Sequence, residues 1–295
     1  MGSITVGKYA GFCFGVKRAV DKVRSLTDGS DGEIRFYTTG ELIHNPDIVS
    51  GLRRKGVIPA SEDELREICA GEPDGIRRTV VIRAHGVTKE LSDLLAARAA
   101  ADPLFAVEDC TCPYVKKIHR IVDENTSLET LTAILGDEGH PEVRGICSYV
   151  KGEYAVGETA EELYDKIRLY NINNRKVILV SQTTQKISEW RKCQKLFEKV
   201  CTKPIIFDTI CSVTETRQNE AVLMSRNVDM MVVIGGKNSS NTNKLYLTAK
   251  RNLAETYLAE NTTELPLDRL RPHMKVGITA GASTPSGIIE EVKHI

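Results

Sequence analysis

Three cysteines, Cys13, Cys112 and Cys211, are separated by equal intervals of 99 residues (112 − 13 = 99; 211 − 112 = 99). Each closes an apolar, strand-like stretch and opens a helix-like one, in ITVGKYAGFCFGVKRAVDKV, LFAVEDCTCPYVKKIHRIV and PIIFDTICSVTETRQNEAVLM. A period of this length is domain-sized and too long for the unit of a solenoid. It predicts three quasi-equivalent α/β units, each offering one thiolate to a common centre.

Two more features repeat with the cysteines. A strand, a glycine and a polar loop occur in EIRFYTTGELIHNPDI, LTAILGDEGHPEVRG and MMVVIGGKNSSNTNKL, with Gly40, Gly136 and Gly236 at steps of 96 and 100. A strand and a polar turn follow in TVVIRAHGVT, KVILVSQTTQK and KVGITAGASTPSG, with His85, Thr183 and Ser283 at steps of 98 and 100. Nine strand ends therefore form three sets of three. Short apolar runs such as VVI, KVILV and MVVI are expected of parallel strands covered on both faces. Helical patterns lie between them, in VKRAVDKVRSL, KELSDLLAARAA and SEWRKCQKLFEKV, and SEDELREICAGEPDGIRR reads as a charged, solvated helix and turn. Ligands of open α/β sheets bind beyond the carboxyl ends of the strands. Three sheets pointing those ends inward bring all nine turns to one cavity. The boundaries predicted from the repeat are 1–108, 109–206 and 207–295, with Pro103 and Pro204 near the joins.

Forty basic residues against forty acidic ones leave no net charge. That argues against broad binding to nucleic acid or an anionic membrane, and 5% aromatic content makes a base-stacking surface improbable. The N-terminus lacks a signal-peptide pattern, and no stretch is apolar for long enough to span a bilayer. Val6 breaks the myristoylation pattern that Gly2 opens. The expectation is a cytosolic protein, in which eight cysteines are metal-binding, catalytic or buried thiols rather than disulfides.

A cysteine just ahead of a helix feels the positive end of the helix dipole, which favours thiolate. Thiolates are what iron–sulfur clusters require. A cubane held by three cysteines leaves one iron free to bind substrate. Three unrelated buried cysteines are the alternative, weakened by the shared spacing. A structural zinc site usually takes local C-x-x-C pairs, and the chain has none. Cys110 competes with Cys112, but the matching frames Asp109-x-x-Cys112 and Asp208-x-x-Cys211 favour Cys112; Cys69, Cys147, Cys193 and Cys201 fall outside the repeat.

Three of the six histidines, His44, His85 and His140, sit in strand-end turns, where they suit an anionic substrate or proton donation. His119, His273 and His294 are left as structural or surface residues. The turns GGKNSSNTNK and TAGASTPSG, with hydroxyls, amides and backbone N–H groups near helix starts, form a phosphate cradle. Neither the P-loop pattern nor G-x-G-x-x-G is satisfied. Glu142 is a carboxylate placed to relay protons, and Thr183 in the neighbouring turn could orient a bound hydroxyl.

The segments AGFCFGVKRAV, GELIHNP, RAHGV, TCPYVKKIH, GHPEVRG, SQTT, DTIC, GGKNSSNTNKL and TAGASTP, from Ala10 to Pro285, resemble in kind and order the 4-hydroxy-3-methylbut-2-enyl diphosphate reductase family. The resemblance implies a trefoil of three α/β units, each with a small, mostly parallel sheet, around a [4Fe–4S] cluster held by Cys13, Cys112 and Cys211. It implies that the fourth iron takes the allylic hydroxyl. His44, His85, Ser239, Asn241 and Ser283, with Ser240 and His140, would bind the diphosphate. Glu142, with Thr183 and His140, would deliver protons, and ferredoxin or flavodoxin would bring electrons. Ser181 stands where the family often has Thr, and Arg144 where an acidic residue is common. Two other functions remain distinct in kind. A cluster-bearing carrier or sensor would need a fourth thiolate, and a binding protein for phosphorylated metabolites would be colourless and iron-free.

Overall fold

The apolar runs form the middle of three separate sheets. The protein is described from a computed structural model covering residues 2–29, 33–170, 172, 175–202 and 204–294. The outer limits of the first and third predicted units, residues 1 and 295, lie outside these. In chain order the first elements are β1 (Ser3–Val6), α1 (Phe14–Asp28), β2 (Ile34–Thr39), α2 (Pro46–Arg54), β3 (Val57–Ala60), α3 (Glu62–Ala70), β4 (Arg77–Ile82), α4 (Lys89–Ala101) and β5 (Phe105–Asp109). The middle of the chain gives α5 (Pro113–Asn125), β6 (Leu131–Leu135), α6 (Pro141–Ser148), β7 (Glu153–Gly157), α7 (Ala160–Ile167), β8 (Val177–Ser181), α8 (Ile187–Val200) and β9 (Pro204–Ile206). The last part gives α9 (Ser212–Ser225), β10 (Met230–Ile234), α10 (Ser240–Lys250), β11 (Thr256–Ala259), β12 (Lys275–Ala280) and α11 (Ser286–Lys293).

The sheets run β3-β2-β4-β5, β7-β6-β8-β9 and β1-β12-β10-β11, with every pair parallel. Strands β6, β8 and β10 are buried along their whole length, as both-face coverage requires. Each sheet accordingly carries an apolar core on either face. Phe36 and Val81 face α1 on one side of the first sheet, while Tyr37, Val80 and Ile82 face Leu91 and Leu95 on the other. The trefoil of α/β units expected from the sequence is the fold observed.

Each sheet has a fourth strand beyond the three marked by turns. These strands, β3, β7 and β11, lie at sheet edges, and β3 carries Pro59, which an edge tolerates and a central strand does not.

The strand ahead of each cysteine belongs to one sheet and the helix behind it to the next. After β5, α5 sends Ile118 and Val122 into a core with Ile134, Ile178 and Val180 of the second sheet. After β9, α9 places Ala221 against Met231 and Val233 of the third. After β1, α1 packs Ala19, Val20 and Val23 on the first sheet. β1 itself pairs with β12, from Ser3 beside Lys275 to Val6 beside Ile278. It therefore lies outside the unit predicted over 1–108, because β5 already occupies the equivalent place in the first sheet. The three units close into a ring, and the cysteines sit at its three crossings.

Those crossings fix local structure. Cys13, Cys112 and Cys211 are the N-cap residues of α1, α5 and α9. Asn45, His140 and Ser239 cap α2, α6 and α10 in the same way. Pro46, Pro113 and Pro141 occupy first-turn positions, where their missing N–H costs nothing. Six helix N-termini thus point toward the centre of the ring. Among the described residues, no helix is long and apolar enough to cross a membrane.

Candidate functional site

All nine strand-end turns reach one central cavity of about 100 Å³. Cys13, Cys112 and Cys211 line one part of it, Glu142 and Thr183 another, and His44, His85, His140, Ser239, Ser240, Asn241 and Ser283 the rest. The candidate ligands, diphosphate-binding residues and proton donors picked out in the sequence therefore meet here.

The sulfur part is built from helix starts. Cys13 Sγ accepts the Val16 N–H at 3.5 Å. Burial pushes the Cys112 thiol up to about 11, with the nearby N–H groups of Tyr114 and Val115 pulling the other way and Cys13 and Cys211 adding to the rise. Burial raises Cys211 too, opposed by the N–H groups of Val213 and Thr214. The three thiols are thus near enough to oppose one another's ionisation. A positive partner resolves that conflict, and one cation is already present. Arg217, only 3% exposed, donates to the Gly11 carbonyl through Nη2, while its Nε and Nη1 have no partner. At Gly15 a Cβ would stand 2.8 Å from Cys112 Sγ, so glycine leaves the sulfur its room. Three convergent soft donors, six helix N-termini and an underused guanidinium fit an iron–sulfur cluster. Cys110 points elsewhere, into the core of the first sheet.

Glu142 lies in the first turn of α6 and is 1% exposed. Thr183 grips it twice: its N–H donates to Oε1 at 2.6 Å and its hydroxyl to Oε2 at 2.8 Å. Burial raises the carboxyl above its ordinary value, and the two Thr183 bonds and the Lys244 charge partly offset this. The Thr183 carbonyl in turn accepts the Cys211 N–H at 3.0 Å, which ties the carboxylate's support to the sulfur part. A buried carboxyl with a raised pKa is suited to hold a proton near neutrality.

The three imidazoles stand with ring centroids 4.8, 5.9 and 5.2 Å apart. Burial lowers the pKa of all three, to about 3 for His140 and well below the ordinary value for His85. They are neutral at pH 7. One nitrogen of each lies within 4.8 Å of the others, a spacing compatible with a metal. One hydrogen bond decides otherwise: His140 Nδ1 accepts the Glu142 N–H at 3.1 Å. That leaves the ring proton on Nε2, which is then a donor and no metal ligand. His44 Nε2, His85 Nδ1 and Asn241 Nδ2 are buried without partners. Ser283 donates to the His44 carbonyl at 3.2 Å and holds that turn, and Ser239 Oγ accepts the Thr242 N–H at 3.3 Å at the start of α10. Neutral N–H donors and helix starts make a site for an anion.

Sequence reasoning missed Arg217, Thr214 and Lys244. Arg217 and Thr214 lie on a face of α9 that buries Thr214, Arg217 and Gln218 in place of an apolar stripe. That polar face was the available signal. Lys244 donates to Gln182 Oε1 at 3.3 Å, and burial lowers it to about 8. Of the two departures, Ser181 turns its hydroxyl to the backbone, donating to the Gln182 carbonyl at 3.0 Å, and Arg144 is exposed and 3.7 Å from Glu62.

His119 lies behind the cavity, stacked on Tyr149 at 4.4 Å. Burial holds its pKa at about 4. Below pH 6.5 the unfolded chain takes a proton there that the folded chain refuses, so acid favours unfolding. The loss spans pH 6.5 to about 4 and amounts to about 3 kcal/mol for this group. Denaturant titrations at pH 7 and pH 4.5 should show stability falling in acid, and by less in His119→Gln; an equal fall in both proteins would contradict the assignment.

The family model described as LytB protein matches residues 4–295. The 4-hydroxy-3-methylbut-2-enyl diphosphate reductase of Thermoanaerobacter sp. (strain X514) is 39% identical over 289 residues, covering 98% of this chain and 94% of that protein. A solved (E)-4-hydroxy-3-methyl-but-2-enyl diphosphate reductase aligns at TM-score 0.65 and 34% identity, covering 100% of this chain and 98% of the other. The Plasmodium falciparum E-1-hydroxy-2-methyl-but-2-enyl-4-diphosphate reductase aligns at TM-score 0.83 and 25% identity, over 98% and 86%.

Proposed function

The chain belongs to the LytB family, whose relatives named above are 4-hydroxy-3-methylbut-2-enyl diphosphate reductases, and we propose that its central cavity is where it performs that reaction. The reaction is an oxidoreduction of isoprenoid synthesis. An allylic alcohol bearing a diphosphate takes two electrons and two protons, loses its oxygen as water, and yields isopentenyl or dimethylallyl diphosphate. The observation that carries the assignment is the meeting, in one cavity, of the thiols of three helix N-cap residues with three unpartnered nitrogens.

Cys13, Cys112 and Cys211 would hold three irons of a [4Fe–4S] cluster, with the fourth iron free of protein sulfur. Bound there, the cluster supplies a Lewis acid for the allylic oxygen and a path for electrons. His140 donates from Nε2 to the diphosphate, joined by His44, His85 and Asn241, whose nitrogens otherwise lack partners. Ser239, Ser240 and Ser283 add hydroxyls, and the α10 N-terminus adds its dipole. Ile43, Ala84, Val115 and Ala282 line the same cavity and give the carbon chain an apolar seat. Glu142, oriented by Thr183, gives a proton to the departing oxygen. His140 sits beside it as the cap of the same helix. Clamping the diphosphate fixes the allyl unit in register with the sulfur part, an effect of orientation. Electrons come one at a time from a small carrier such as ferredoxin or flavodoxin, and the protein works in the cytoplasm.

Mössbauer spectra of anaerobic protein, with and without the allylic alcohol, test the scheme. One iron should differ from the other three and respond to substrate; four alike, or no response, would reject it. His44→Asn shortens the side chain and withdraws the Nε2 donor from the diphosphate, a bond worth about 1.5–3 kcal/mol when the acceptor is charged. KM should rise roughly tenfold to a hundredfold with a smaller change in kcat. An unchanged KM would remove His44 from the clamp.

A further inference from the structure

One imaginary atom at each of two glycines reveals a close junction behind the cavity. A Cβ on Gly86 would lie 2.9 Å from His119 Cε1, and one on Gly145 would lie 3.1 Å from His119 Nε2. Gly86 follows His85 in the turn after β4, in the first unit. Gly145 lies on α6 of the second unit, the helix that His140 caps and that carries Glu142. His119 sits on α5, the helix that Cys112 caps. From α5, this single imidazole, 7% exposed, therefore lies against both the His85 turn and α6.

The surroundings leave it little freedom. Tyr149 stacks on the ring with an interplanar angle of 19°. Beside it the Cys112 N–H donates to the Ala84 carbonyl at 2.9 Å. The Lys89 N–H donates to Ser148 Oγ at 2.8 Å, and Ser148 donates to the Gly145 carbonyl at 2.6 Å, which also joins the two units. The Nε2 of His119 makes no hydrogen bond, so the edge of the ring facing Gly145 meets it by shape rather than by a polar link. Close-packed interiors pass on such displacements instead of absorbing them.

We propose that His119 is a positioning residue of the reaction, the spacer that sets the separation between the His85 turn and the helix bearing His140 and Glu142. The proposal rests on the functional reading above. It adds that the distance between the diphosphate donors and the proton donor is held by a ring that touches neither substrate nor cofactor.

The test is a double-mutant cycle in the iron-loaded protein. Gly145→Ala puts a methyl group against the ring and should lower kcat about tenfold to a hundredfold while raising KM, since an ångström of misplacement is enough for such losses. His119→Ala removes the spacer and should also lower kcat and raise KM. In the double variant the new methyl occupies space the ring vacated and keeps only its 3.3 Å approach to the Val87 carbonyl, so part of the Gly145→Ala loss should return. Iron per chain should stay at the wild-type level throughout. A purely structural role would lower the folded, loaded fraction and leave kcat and KM per loaded site unchanged, and that result would overturn the proposal. So would losses that simply add in the double variant. If Gly145→Ala does not fold, His119→Ala decides alone, with wild-type constants counting against the idea. Activity retained in Glu142→Gln would instead strike the functional reading, so the two failures can be told apart.

Discussion

Cys112→Ser is expected to give a folded protein with almost no bound iron and no measurable turnover. A serine hydroxyl does not ionise in a buried site, so one corner of the cluster loses its ligand. Cys13→Ser and Cys211→Ser should behave alike, because all three residues cap helices at the ring's crossings and line the same cavity. Iron per chain should fall from about four to near zero, and activity by a factor of at least about 10³. Cys110→Ser and Cys69→Ser are the controls. Both thiols are buried in apolar cores, and burial raises the pKa of each. Their loss should cost about 1 kcal/mol of stability and leave iron content intact. Cys110 is the sharper control, since it lies two residues from Cys112. Equal iron in all five variants would end the assignment.

The second large effect is expected at Glu142→Gln. Glutamine has the size of the protonated acid and cannot give up its proton. Turnover should fall about 10²- to 10⁴-fold, the usual contribution of a placed proton donor. Iron content and KM should hardly change, because neither the thiols nor the diphosphate donors are altered. The swap has a local cost that can be checked separately. Thr183 offers two donors to this side chain, its N–H and its hydroxyl, and an amide can accept at only one end. The hydroxyl must rotate to accept instead. Thr183→Val removes that hydroxyl while keeping the carboxylate, so it should cost less than Glu142→Gln. Wild-type turnover in Glu142→Gln would exclude the carboxyl from proton delivery.

Much of this was legible because the chain repeats its own punctuation. Apolar runs ending in glycine and polar turns mark the strand ends at which ligands bind, and three copies at nearly constant spacing make chance agreement improbable. The edge strands escaped for a physical reason. VIPA, EYAVG and TYLA are short and half exposed, and one contains a proline, so they carry little of the apolar pattern of a central strand. The pairing of β1 with β12 was invisible because no local signal specifies a partner at such a distance in sequence. Arg217 was missed because an arginine in a helix reads as surface until packing shows that its face is inside. The choice between anion and metal at the three histidines depended on a proton position, which only the Glu142 N–H to His140 bond could fix.

The closure of the third sheet also sets an order of events during synthesis. Ser3 is translated 272 residues before its neighbour Lys275 (275 − 3 = 272). At roughly 5–20 residues per second, that interval is on the order of tens of seconds. The first two sheets find every one of their strands in sequence as they emerge, but the earliest segment has nowhere to dock until β12 has left the ribosome. The enclosure around the three sulfurs is finished only then; the last of them, Cys211, is made 64 residues before Lys275 (275 − 211 = 64), so all three thiols can be reached from outside for roughly 3–13 seconds at the same rate.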